Sequence, residues 1–217
     1  GFTDDAELLL WSGAGVDPPR HVGTFRLFQI GSAAPYGSVA SQDQLQCVTL
    51  LRERLVAATR MGRIASFPLD DGVDGTYWFH EHRRVADLTN DGQTVFACLG
   101  DGSVLSMDAR LRHQRHSTRH PAEDQAAWQI VVGHAVYSVA PETTFLWCWP
   151  KSLSWVDHWP ISLNIRGWSP RKTGAHRVRR EGTPREGWDR LYIALLHEIQ
   201  IWEVSVQEGQ RDLVRRL

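Results

Sequence analysis

Lysine is almost missing from this chain. Of its 24 basic residues only Lys151 and Lys172 are lysine, and the other 22 are arginine. Genome base composition alone produces such a bias, so it carries little functional weight. Cysteine is scarce as well. Cys47, Cys98 and Cys148 stand far apart with no CxxC pair, which excludes a disulfide framework and a cysteine zinc site. They lie in apolar, strand-like stretches, as buried free thiols of an intracellular, reducing compartment (cytoplasm or nucleus) do. No apolar run approaches the 18 or so residues of a membrane helix. Net charge is small too: the formal value of −1 excludes a general polyanion binder. The opening Gly1-Phe2-Thr3-Asp4-Asp5 has no basic n-region and no initiator Met, as expected of a processed product or part of a longer chain. Enzyme signatures are missing: there is no GxSxG, no P-loop and no GxGxxG after a strand. Cofactors and resident metals are therefore not expected.

Helical periodicity is equally scarce, with Gln207–Leu217 the one candidate and a strand equally compatible with it. What the chain has instead is short β-rich runs broken by Gly, Asp, Asn and Pro, the pattern of an all-β fold. The runs repeat. Val85–Asp108 reads strand, Asn-Asp-Gly turn, strand, Gly-Asp-Gly turn, strand, with turn residues that tolerate positive φ. Leu45–Leu69 has the same layout around Arg52-Glu53 and Met61-Gly62. His134–Asp157 has it around Pro141-Glu142 and Pro150-Lys151. Leu191–Val204 supplies two such strands turning at His197-Glu198, and Leu8–Ile30 two more around a long loop. Aligned on Phe28, Phe67, Met107, Val156 and Trp202, the units step by 39, 40, 49 and 46 residues. A period near 40–50 with four strands per unit indicates a β-propeller rather than a sandwich.

The third strands resemble the ends of WD repeats. Ile199-Gln200-Ile201-Trp202-Glu203-Val204 is close to that family's terminal pattern, and Val104–Asp108 and Phe25–Gln29 are looser versions. Gly133-His134 sits where the family's Gly-His opens a unit, and His82 takes that place before Val85. No third strand ends in a literal Trp-Asp, so the repeats are degenerate, and the family's His–Asp–Ser/Thr–Trp network is not expected. The resemblance implies four-stranded blades, here about five, in one domain spanning 1–217, with units at about 6–41, 45–80, 84–132, 134–166 and 174–217. Outer strands fall near Tyr36–Ala40, Thr76–His80, Ala127–Val132, Ile161–Ile165 and Asp212–Leu217. Five units with an incomplete first one close a ring poorly. The expectation is part of a larger, for example seven-bladed, propeller, or one completed by a partner.

Several constellations invite a chemical reading. His80-Glu81-His82 would put two imidazoles on one strand face, but no third ligand has a diagnostic spacing, and exposed loop side chains explain it equally. Ala109–His120 carries Arg110, Arg112, Arg115 and Arg119 with His113, His116 and His120. It reads as an insertion between strands that either grips phosphates or is merely solvated. Arg166–Arg190 holds eight basic residues, Arg177, Arg179 and Arg180 among them, against three acidic ones, flanked by Trp168 and Trp188. It suits a protein contact or, less well, RNA. Trp147, Trp149, Trp155 and Trp159 suit a core between blades, with a sugar platform as the alternative. Asp4-Asp5 and Asp70-Asp71 are loop carboxylates that would serve a glycosidase only if they converged.

The family resemblance places partner contacts on the loops joining second to third and fourth to first strands. Here those carry Arg60, Arg63, His80, His82, Arg83, Asp101, Lys151, Arg171, Lys172 and His197, a basic mix that suits acidic or phosphorylated protein segments. The expected function is a non-catalytic scaffold for protein–protein interaction in a larger intracellular complex. The alternatives are an RNA-contacting subunit using Arg112, Arg115, Arg119, Arg177, Arg179 and Arg180, and a propeller enzyme or lectin.

Overall fold

The computed structural model describes residues 7–10, 20–24, 45–69, 75–117, 129–139, 145–160, 177–182, 185–194, 198–205 and 210–216. Among these every regular element is a strand, and no helix is long and apolar enough to cross a membrane. A two-stranded pair, β1 (Glu7–Leu10) and β2 (Arg20–Thr24), is followed by four antiparallel sheets of four strands. The first sheet runs β3 (Leu45–Leu51), β4 (Arg54–Thr59), β5 (Arg63–Pro68), β6 (Tyr77–His80). The second runs β7 (Val85–Asn90), β8 (Thr94–Leu99), β9 (Val104–Asp108), β10 (Arg115–His116). The third is β11 (Gln129–Val132), β12 (Ala135–Val139), β13 (Phe145–Pro150), β14 (Asp157–Pro160). The fourth is β15 (Arg177–Gly182), β16 (Asp189–Ala194), β17 (Ile199–Ser205), β18 (Gln210–Arg216). Within each sheet strand order equals chain order, a meander. The first strands β3, β7, β11 and β15 lie side by side, so the sheets follow one another around a common inner edge.

Strand composition follows from what each face meets. A sheet with one wet face alternates apolar and polar residues; one covered on both faces is apolar throughout. Strand β8 of the second sheet is of the latter kind. In β8, Val95, Ala97 and Leu99 point into a core shared with the first sheet, with Leu51, Val56 and Ile64. Phe96 and Cys98 point the other way, into a core with Val136, Trp147 and Trp149 of the third sheet. In β13 the same alternation sends Leu146 and Cys148 to a third core, with Leu191, Ile193 and Val204 of the fourth sheet. Trp149 is fully buried, and its indole N–H finds no acceptor among the described residues. Burying a ring of roughly 200 Å² contributes about 5 kcal/mol before entropy, against ~1–3 kcal/mol for the lost hydrogen bond, so burial wins. Cys98 and Cys148 are buried free thiols and Cys47 a half-buried one, and burial pushes the pKa of each up, which disfavours the reactive thiolate.

Polar side chains join neighbouring sheets. Between first strands, Asn90 donates to Thr49 Oγ1 at 2.6 Å and to the Leu50 carbonyl at 2.9 Å. Asp87 Oδ2 accepts the Ile130 N–H at 3.0 Å. At the third and fourth sheets the fully buried Asp189 is the pin. Its Oδ2 accepts from the His134 N–H at 2.7 Å and Tyr137 Oη at 2.9 Å. Its Oδ1 faces His134 Nδ1 at 3.1 Å and accepts from Arg180 Nε at 2.9 Å. Four donors offset the cost of burying the charge. A Cβ on Gly133 would stand 2.3 Å from Asp189 Oδ1, so only glycine admits this approach.

Three parts of the sequence reading are corrected by the pairing. Residues 129–132 are the first strand of the third sheet, because Gly133-His134 folds them back on Ala135–Val139 and Asp87 holds them beside β7. The outer strand of the second sheet is Arg115–His116, inside the segment read as an insertion; Ser117 fastens it through Ser117 N–H to the Val104 carbonyl at 2.8 Å. In the third sheet Trp147 and Trp149 lie on the third strand and Trp159 on the fourth, while Val156 lies between them. Trp149 therefore matches Met107 and Trp202, with steps of 42 and 53 residues, and the long step falls before the last sheet. The expected outer strands at Tyr36–Ala40 and Ile161–Ile165 lie outside the described residues.

Two substitutions test these joints. Gly62 has φ 90°, and a Cβ there would meet the Glu81 carbonyl oxygen at 2.0 Å and that of Arg83 at 2.5 Å. Gly62→Ala is expected to cost at least ~2 kcal/mol in urea unfolding; an unchanged midpoint would refute the close approach. Asp189→Asn turns an amide N–H₂ toward groups that donate to the carboxylate, and a loss of about 3 kcal/mol is expected in the same measurement.

Candidate functional site

The sheets have two ends. One, the b–c end, gathers the connections from second to third strands and from fourth to first. The other, the a–b end, gathers the remaining connections. At the b–c end, the turn between β4 and β5 is locked to the segment after β6. Gly62 N–H donates to the Thr59 carbonyl at 3.1 Å, and Glu81 N–H donates to the Gly62 carbonyl at 2.8 Å. This leaves Arg60 and Met61 exposed at the turn tip, Met61 by 51%, beside exposed His80 and His82. The two imidazoles meet edge to face with ring centres 5.2 Å apart. Among the described residues no group of three or more His, Cys, Asp or Glu could hold a metal ion. Arg63 is half-buried, and its N–H donates to Thr59 Oγ1 at 3.1 Å.

Next to this tip lies an ionic network that the sequence reading did not anticipate. Arg83 Nε donates to Glu81 Oε1 at 2.8 Å and Arg83 Nη2 to Glu81 Oε2 at 3.1 Å, a bidentate pair. Arg83 Nη1 donates to Asp101 Oδ2 at 3.1 Å and Ser103 Oγ at 3.0 Å. Arg83 Nη2 also lies 2.8 Å from His116 Nδ1, across to the outer strand β10. Burial alone would raise the Glu81 pKa, but the Arg83 hydrogen bonds and charge, with His116, outweigh it and hold the carboxyl below its ordinary range. Asp101 behaves likewise: burial raises it, and the Ser103 hydrogen bonds and Arg83 bring it below normal. The Arg83 pKa is raised, chiefly by its bond to Glu81. Arg83, read as a cation on offer to a partner, is thus already engaged by two carboxylates. The two carboxylates are in turn held ionised as acceptors.

Other expected contact residues scatter. Lys151 is corrected most clearly. It follows β13, a third strand, and so lies at the a–b end, where its Nζ pairs with Asp91 Oδ2 at 2.9 Å. Arg52 Nε reaches the Gly92 carbonyl at 3.2 Å at the same end. Arg171, Lys172, His197, Arg119 and His120 lie outside the described residues, as do Asp4-Asp5, Asp70-Asp71 and Trp168. Arg177 and Arg179 stand in β15, and Arg180 is tied to Asp189. Trp188 is 1% exposed under the Arg185 guanidinium, 3.5 Å from ring centre to Cζ, so it offers no face for a base. Exposed cations remain along the outer strand of the second sheet. Arg112 pairs with Asp108 at 3.3 Å, and His113, Arg115 and His116 are exposed. The tryptophans are core: Trp147, Trp149 and Trp159 are buried, and Trp155 alone of the four is exposed, by 44%.

The network makes stability depend on acid. Glu81 and Asp101 have folded pKa values below their ordinary 4.5 and 3.8, so their contribution is complete above that range and is lost as pH falls through it and below. Arg83→Met removes the main cause of the lowering at Glu81 and one of the causes at Asp101. Its melting temperature is expected to lie below that of the parent at neutral pH and to converge on it toward pH 2. Parallel profiles would count against the network.

No protein-family model matches the chain, and no curated protein matches it. Solved structures do. Kluyveromyces lactis Hsv2 with its complete loop 6CD superposes with a TM-score of 0.57 at 11% identity, over 79% of this chain and 61% of that one. A virginiamycin B lyase from Staphylococcus aureus gives 0.57 at 10% identity, over 78% and 54%. The computationally designed Ika4 protein gives 0.54 at 12% identity, over 76% and 93%. The chain thus spans about three fifths of the length of the Hsv2 structure it matches. At these identities the likeness is one of fold, and it shows a propeller-like all-β architecture.

Proposed function

We propose that this chain is a non-catalytic β-propeller scaffold of degenerate WD-like repeats. In this reading it forms part of a larger propeller or one completed by a partner, and it binds protein segments at its b–c end inside the cell. The supporting observation is the backbone clamp from Gly62 to Glu81. It fixes Arg60, Met61, His80 and His82 at one rigid place, exposed, with an apolar tip among groups that attract anions. Rigid presentation lowers the ordering cost of binding. The neighbouring carboxylates support a structural role over an acid–base one, because Arg83 occupies them. Protein is favoured over RNA because Trp188 is buried and Arg180 is consumed by Asp189. An acidic or phosphorylated segment is the partner chemistry that fits.

Affinity purification of the tagged protein, with and without nuclease, tests this reading. Partners are expected to survive nuclease. The variant Arg60→Glu, at the exposed turn tip, is expected to recover them at least ~5-fold less, at an unchanged melting temperature. Partners released by nuclease would move the reading to RNA, and undiminished recovery by the variant would remove the b–c end from it.

A further inference from the structure

Histidine outnumbers cysteine in this chain, ten to three, so imidazole rather than thiolate is the metal ligand it has in quantity. Four of the histidines sit beside a neighbour of another kind. His113 Nε2 is 4.0 Å from Asp108 Oδ2, and His116 Nδ1 is 2.8 Å from Arg83 Nη2. His134 Nδ1 is 3.1 Å from Asp189 Oδ1, and His158 stacks on Trp147 with ring centres 5.0 Å apart. His80 and His82 face each other instead, with ring centres 5.2 Å apart and planes at 66°.

That separation is the one a shared ion requires. A tetrahedral zinc ion lies about 2.0–2.1 Å from each imidazole nitrogen, and a ring centre lies ~1.1 Å behind its nitrogen, so two imidazoles on one ion have centres roughly 5 Å apart. The backbone holds the two rings at this spacing. His80 ends β6 opposite Arg63 of β5. Glu81, between the histidines, is buried; its N–H is on the Gly62 carbonyl at 2.8 Å and both its carboxylate oxygens are on Arg83. With the middle residue clamped inward, the residues on either side of it turn outward together. Both imidazoles are exposed, so the rotation that turns a nitrogen of each toward a common ion displaces no core contact.

The surrounding charges limit how tightly an ion is held. Arg60 is exposed at the adjoining turn and Arg63 is half-buried across the strand pair, and both oppose a cation. Arg83 opposes it less, because Glu81 and Asp101 offset its charge. Glu81 is no third ligand, since Arg83 occupies both its oxygens.

We propose that His80 and His82 form an open two-histidine site for a divalent transition-metal ion of the zinc class. Imidazole suits zinc, copper and nickel, whereas magnesium and calcium take oxygen ligands. The pair fills two of the four tetrahedral positions and leaves two for water or for an oxygen donor of a ligand. The site needs no partner, so it stands or falls independently of the scaffold reading.

Titration calorimetry of the full chain with zinc chloride alone, at neutral pH in a non-chelating buffer, tests the proposal. A dissociation constant of about 100 μM or tighter is expected. His80→Ala and His82→Ala are each expected to weaken binding at least ~10-fold. The melting temperature of the metal-free variants is expected to match the parent, because both side chains are exposed. His113→Ala, at an exposed position between β9 and β10, is expected to bind zinc like the parent. Magnesium chloride is expected not to compete. Zinc binding weaker than ~100 μM in the parent, either of the His80 and His82 variants binding like the parent, an equal loss in His113→Ala, or displacement by magnesium would each overturn the proposal.

Discussion

Burial of both faces of a sheet is the condition on which the rest of this molecule depends. A strand's side chains alternate, so a doubly covered sheet must supply apolar residues at every position and must find a neighbour on each side. Strands β8 and β13, inside the second and third sheets, come nearest to that condition. Val95 and Phe96, adjacent in sequence, serve different cores, as do Leu146 and Trp147. Neighbouring sheets share each of these cores, so each sheet is stabilised by the next. That is the energetic logic of a repeat array.

Apolar packing of this kind is non-directional and leaves the relative rotation of sheets loosely set. Directional bonds supply the register. Asn90, Asp87 and Asp189 each reach from one sheet into the next and bond to backbone or to several donors at once. Asp189 is the extreme case: a fully buried carboxylate that is tolerable because four donors converge on it from two sheets. Arg83 plays the corresponding part at the b–c end, between Glu81, Asp101 and His116. Loops anchored in this way can present side chains to a partner without first having to be ordered, and the proposed scaffold function depends on that.

The repeat was legible in the sequence where turn chemistry was strong. In the second unit the turn residues at Asp91-Gly92 and Asp101-Gly102 mark the ends of three strands that the structure contains. It was misread where turn signals competed. Pro150-Lys151 looked like the turn into a third strand, yet β13 was already the third, because the short Gly133-His134 turn had opened the sheet one strand earlier. Arg115-His116 read as part of an insertion, phosphate-gripping or merely solvated, because arginine and histidine carry no strand pattern. What makes it a strand is the bond of Ser117 to Val104, 13 residues away.

The site shows the same division. The family resemblance put contact residues on the loops of one end and named Arg60, Arg63, His80 and His82 among them, and those four lie at the b–c end. The resemblance also offered Arg83 and Lys151 as contact cations, and both are engaged, by residues 18 and 60 positions away in the chain. The sequence by itself determined the class, short strands with repeated turns and covered faces, because period-two alternation and turn propensity are local properties. Only the tertiary structure decided which strand belongs to which sheet, which charges are neutralised and which side chains stay exposed, because those depend on contacts between segments that local propensity does not encode.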